Sequence, residues 1–399
     1  MAILKMANTI ITFLSVFVLC ISAAEGRKTL NAINGEVDDG ICKSIVETQG
    51  YKCEEHKVTT DDGYILSLQR MPARRSGANA DKPPVLLQHG IFSDASTWLF
   101  NSPEESLAFI LADNGYDVWL ANTRGTKYSS EHTSLNPNDK AYWDWSWDQL
   151  SAYDLSASVN YVYKNTGQKL HYAGHSLGTL IALAAFSQHK VLDSLRSAAL
   201  LSPIAHLNQI PSQPTKIAAD IFIANVVYWL GIREFDPIGQ DAANVLDKIC
   251  HLPGVNCSNL MTVFTGPNCC VNSSRTDFSM EPTSTKNLIH LSQMIRTGKI
   301  AMYDYGDQQQ NMAHYGRASP PLYDMTSIPN DFPLFLSYGG KDTLSDVIDV
   351  QVLLDDLKDH ERDKLVAAFV EEYAHIDFVR GVNARQVVYE PMMAFFKLN

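Results

Sequence analysis

Residues 169–186, "KLHYAGHSLGTLIALAAF", limit the folds open to this chain more than any other stretch. A short apolar strand pattern turns at Gly174, His175, Ser176, Leu177 and Gly178 and continues as an apolar run of helical length. Glycines on both sides of a serine let a strand turn sharply into a helix and let the two pack closely. The glycines could serve the bend alone. The bend could also present Ser176 Oγ in a cleft as a nucleophile. That second outcome requires a histidine base, an acid to orient it, and two N–H donors for an oxyanion.

The flanking sequence supplies a frame for such partners. "PPVLLQHG" (83–90) reads as a buried strand, and "YDVWLANTRG" (116–125) and "SAALLSP" (197–203) read as further strands. "ESLAFILADNG" (105–115) has helical spacing, and Leu155, Val159 and Val162 share one face of a further helix. Repeated strand–helix alternation predicts an α/β fold, a mainly parallel sheet with helices on both faces. The rhythm breaks between about residues 205 and 325 and resumes at "FPLFLSYGG" (332–340), "KLVAAFVEE" (364–372) and a C-terminal helix. We expect core parts at 41–204 and 326–399, interrupted by a mostly helical cap at 205–325. Within it, "KIAADIFIANVVYWLG" (216–231) carries too many apolar residues for a solvated helix and must cover its surface with protein or lipid.

In this fold class the nucleophile precedes an acid, and a histidine follows both. Asp342, after the strand pattern of "LFLSYGG", is the expected acid, with Asp346 and Asp349 as rivals. His375 follows the last strand pattern and is the expected base. The oxyanion donors are expected at the N–H groups of Leu177, after the nucleophile, and Ile91, after an early strand. Gly174, His175 and Gly178 form the elbow. His171 and His175 lack an H-E-x-x-H context, and no G-x-G-x-x-G or Walker A loop occurs. Neither a metal nor an organic cofactor is expected. The tryptophans of "YWDWSWDQL" (142–150) read as packing residues.

The beginning of the chain reads as a secretory signal. Lys5 precedes an apolar stretch from about Ile10 to Ile21, and Ser22, Ala23 and Ala24 are small residues suited to cleavage. We assign residues 1–24 to the signal and 25–40 to a loose polar segment. Removing Cys20 leaves Cys42, Cys53, Cys250, Cys257, Cys269 and Cys270, an even set that favours disulfides in a secreted chain. Cys42 and Cys53 are expected to pair locally, and the pairing of the other four stays open. Asn256 and Asn272 begin N-glycosylation sequons. The formal net charge of −12 argues against nucleic acid as the partner. No later segment is long and charge-free enough to cross a membrane, and no obligate protein partner is evident.

At these residues the sequence resembles the acid lipase family of gastric and lysosomal lipases, its plant members above all. "LLQHGIF", "FILADNGYDVWLANTRG", "GHSLG", "YGGKD" and "YAHIDFV" match in order, as does "MIRTGKIAMYDYG" in the insert. The resemblance runs from about Val37 to the C-terminus. It implies an α/β-hydrolase core with a lid-bearing cap that cleaves neutral lipid esters, such as triacylglycerol at an oil–water or membrane interface, without a cofactor. By position it implies Ser176 as nucleophile, Asp342 as acid, His375 as base, and Ile91 and Leu177 as oxyanion donors. Many relatives have Gln where this chain has Leu177, which bears on acyl or alcohol preference more than on catalysis. Two other readings stand beside a secreted or vacuolar lipase: an esterase or acyltransferase for soluble esters, and a catalytically silent lipid-binding protein.

Overall fold

A computed structural model describes residues 40–211, 219–220, 223–229, 231–237, 262, 264–272 and 280–399. The expected signal, Cys20, Cys250, Cys257 and the Asn256 sequon lie outside them.

After helical turns at Cys42–Val46 and Glu47–Gln49, the described residues form an antiparallel ribbon. β1 (Glu54–Thr59) pairs with β2 (Tyr64–Met71) across a turn containing Gly63, whose φ of 96° suits glycine. β2 then pairs antiparallel with β4 (Tyr116–Ala121). From β4 onward every pairing in the order β4, β3 (Lys82–Gln88), β6 (Leu170–His175), β7 (Leu195–Leu201), β10 (Leu334–Gly339), β11 (Leu365–Val370) is parallel. A two-residue strand, β5 (Glu131–His132), joins the far side of β2. Parallel neighbours need crossovers, and α1 (Leu107–Asp113), α2 (Ser156–Thr166) and α3 (Leu177–Ser187) are the longest helices between β3 and β7.

Alternate residues of the central strands feed two apolar layers. Leu86, Trp119 and Tyr172 pack into one with Leu177, Leu180 and Ile181, whereas Val85, Leu87, Val118 and Ala173 pack into the other with Phe335 and Phe396. That is the period-two geometry of a strand, and every residue of β4 and β6 is buried, as in a sheet covered on both faces. Trp143, Trp145 and Trp147 lie in the first layer, as expected of packing residues.

Between neighbouring strands β7 and β10 the described residues add no strand to this sheet. They form α4 (Ile223–Trp229), a two-stranded ribbon of β8 (Glu234–Phe235) and β9 (Thr283–Ser284), α5 (Thr285–Thr297) and α6 (Gln308–Tyr315). Ser284 caps α5 with its hydroxyl on Lys286 N–H, and Gly298 at φ 66° ends it. The chain re-enters the sheet at β10, continues through α7 (Val347–Asp356) and β11, and closes on α8 (Glu390–Leu398). Cys42 and Cys53 are bonded, as expected. Cys269 and Cys270, adjacent in sequence, are bonded to each other.

Candidate active site

Ser176 stands at the C-terminal end of β6 and immediately before α3, with φ 54° and ψ −119°. This backbone region is costly for any residue with a Cβ. Two contacts force the bend. A Cβ on Gly174 would lie 2.9 Å from the Gly178 carbonyl, and one on Gly178 would lie 2.6 Å from the Gln88 carbonyl. Only glycine lets α3 settle this close to β3 and β6. Gly90 is constrained likewise, since a Cβ there would meet Ser176 Cβ at 2.9 Å. The first turn of α3 therefore lies behind Ser176, with its positive dipole end toward the site.

His375 and Asp342 come from the segments after β11 and β10, adjacent parallel strands. His375 Nδ1 lies 2.9 Å from Asp342 Oδ2 and 3.1 Å from Oδ1, and both residues are buried. Asp342 Oδ1 also accepts N–H bonds of 2.9 Å from Leu344 and Ser345. Burial alone would raise this carboxyl's pKa. The His375 ring and the two N–H groups outweigh burial and hold it below the ordinary carboxylate value. The rival acids are engaged elsewhere. Asp346 caps α7 through the N–H groups of Ile348 and Asp349, and Asp349 accepts from Gln209 N–H.

A second histidine steadies the first. His175 Nε2 donates to the His375 carbonyl at 2.9 Å, and Ser202 Oγ adds a longer bond of 3.4 Å to the same oxygen. A carbonyl only accepts, so His175 carries its proton on Nε2. Burial, reinforced by the nearby His375, pushes the His175 pKa down to about 3, and its ring stays neutral.

The loop after β3 shows a similar device. His89 Nδ1 donates to the Gly90 carbonyl at 2.7 Å, while its Nε2 accepts the Thr123 N–H at 3.1 Å. Carbonyl and N–H of one planar trans peptide point in opposite directions. Holding the Gly90 carbonyl therefore fixes the direction of the Ile91 N–H. Ile91 and Leu177 line one narrow pocket with Trp145, Leu150 and, from the inserted region, Thr283. Among the described residues Cys269, Cys270 and Asp377 form the one trio spaced like metal ligands. Its sulfurs are bonded together, and its carboxylate accepts three backbone N–H groups, so the donors do not suit an ion.

The comparisons bear on this geometry. Residues 42–102 match the family described as a partial alpha/beta-hydrolase lipase region, and residues 83–375 match the alpha/beta hydrolase fold. Triacylglycerol lipase 2 of Arabidopsis thaliana is 47% identical over 394 residues, covering 96% of this chain and 94% of that protein. Gastric triacylglycerol lipase of Homo sapiens is 36% identical, covering 86% and 88% respectively. The chain belongs to the α/β-hydrolase lipases. It is a carboxylic ester hydrolase by family. In three dimensions the lipase is similar to a soluble variant of monoglyceride lipase from Saccharomyces cerevisiae, with TM-score 0.53 and 17% identity over 85% of this chain and 94% of that one.

The structure brings Asp342 and His375 into contact, joins His175 to His375, and sets Ile91 and Leu177 on one pocket. Sequence reasoning placed His175 in the elbow without finding its bond to the His375 carbonyl. His89, beside Gly90 in "QHG", was missed altogether. A histidine that abuts a functional glycine was the available signal.

Proposed function

We propose that the chain is a serine lipase that hydrolyses carboxylic esters of neutral lipids, triacylglycerol or a related ester, through Ser176, His375 and Asp342. The observation that carries the reading is the buried His375–Asp342 hydrogen bond, tied through His175 to the strained elbow that holds Ser176. His375 Nε2, left free by the Asp342 bond at Nδ1, takes the Ser176 proton as Oγ attacks the ester carbonyl. The Ile91 and Leu177 N–H groups receive the oxyanion. Collapse expels the alcohol, which takes the proton from His375, and leaves an acyl group on Ser176. Water, deprotonated by His375, then attacks the acyl carbonyl and releases the carboxylic acid, returning the proton to Ser176. Residues 205–325 are the cap over this site. Residues 1–24 direct the chain into the secretory pathway, to the cell exterior or a vacuole, with Asn256 and Asn272 as glycan acceptors.

The test is a hydrolysis panel on purified protein: triacylglycerols, sterol esters, phospholipids and short soluble esters, each across pH. Neutral lipid esters should lead. Ser176→Ala should lower kcat roughly a millionfold, as loss of a triad nucleophile does elsewhere, and keep the far-UV spectrum of the native protein. Substantial activity in that variant would remove the mechanism.

A further inference from the structure

The segments that carry the acid and the base are not held by the core alone. Residues 264–271, from the inserted region, run against both. On the acid side, Thr343 Oγ1 donates to the Phe264 carbonyl at 2.7 Å. Gly266, at φ 88°, sits so close that a Cβ would collide with the Lys341 carbonyl. On the base side, His375 N–H donates to the Thr265 carbonyl at 3.0 Å, and Ile376 N–H donates to Asn268 Oδ1 at 3.0 Å.

Asp377 closes the clasp. Its side chain is fully buried, and its oxygens accept from Ala374 N–H at 2.8 Å, Cys270 N–H at 3.0 Å and Cys269 N–H at 3.1 Å. None of these donors belongs to the short helix Asp377–Arg380 that Asp377 begins. One points back along the histidine segment and two reach across to the inserted one. Burial pushes this carboxyl's pKa up, and the three N–H groups oppose the rise. An apolar side chain here would leave three inward donors without partners.

We propose that Asp377 is a positioning residue for the reaction: it ties residues 264–271 to the His375 segment, and that clasp sets the His375–Asp342 register. The inference rests on the serine-hydrolase reading above.

Asp377→Asn keeps the shape but turns one acceptor into a donor facing backbone N–H groups. The readout is kcat per serine titrated to completion with a fluorophosphonate, measured on a short soluble ester. It should fall about tenfold to a hundredfold, the scale of a small misplacement of catalytic groups, with KM within about twofold. The acid limb of kcat/KM should move to lower pH, because a loosened Asp342 bond stabilises the protonated His375 less. Thr343→Val, which removes the Phe264 bond from the acid side with little change of shape, should move both quantities in the same direction by a few-fold, and it decides the matter should Asp377→Asn not fold. Wild-type kcat per titrated serine with an unmoved acid limb overturns the proposal, whatever happens to Tm. Failure of the underlying reading looks different: the wild-type protein would not take the fluorophosphonate at Ser176.

Discussion

Ser176 is one of five non-glycine residues with positive φ among those described, and such a conformation costs about 1–3 kcal/mol. The bend persists because Gly174, Gly178 and Gly90 leave no room for another path. The role of each acid should be separable at this scale. Asp342→Asn should depress kcat by roughly ten-thousandfold by stranding His375 in the wrong tautomer. Asp346→Asn should leave kcat near wild type, since asparagine caps a helix as well as aspartate does. Steady-state kinetics on a soluble ester check both, and an inverted ranking would move the acid to the start of α7. The placement of Ser176, Asp342 and His375 after β6, β10 and β11 was legible in the sequence because the strand patterns precede them. His89, the His175–His375 bond and Asp377 were not, because their partners are backbone atoms that carry no sequence signature.

The elements of the core follow the sequence pattern closely. The antiparallel pairing of β1 with β2 around Gly63 was not read from the sequence pattern. Of the helix expected over 216–231, the described residues Ala219, Asp220 and Ile223–Trp229 (α4) are helical. Helix α4 packs on α5, yet Trp229 at its end is 85% exposed, and Met312 and Leu322 are exposed as well. Among the described residues, Trp229 is thus left largely uncovered. Tryptophan suits a boundary between apolar and aqueous phases. Trp229→Glu should weaken hydrolysis of emulsified triacylglycerol several-fold while nearly sparing a short soluble ester and the Tm. Equal loss of both activities, or unfolding, would assign Trp229 to packing.

At the scale of the whole molecule, buried neutral histidines link stability to pH. Burial, with Arg196 adding to it at one site, pushes His171 down to about 3, His175 falls to about 3, and His89 and His290 are lowered too. In the unfolded chain each would take a proton near pH 6.5. The unfolded state thus binds more protons as pH falls below about 6.5, and stability declines with it. Asp342, held below its usual range, adds a further loss at still lower pH. Thermal unfolding followed from pH 7 to pH 4 should show a falling Tm, and a flat profile would contradict the burial of these rings as neutral groups. The sheet order carries a separate consequence for how the molecule is made. β7 leaves the ribosome well over a hundred residues before its partner, since Ala198 faces Leu334 and Leu201 faces Ser337. Until β10 arrives, a hydrogen-bonding edge whose last four residues, 198–201, are fully buried in the finished protein stands open. Such an edge recruits other strands, and long-range pairing is slow to form. A chain halted anywhere within the insert is accordingly a sticky half-sheet, and the nascent protein depends on shielding of that edge until its C-terminal quarter is complete.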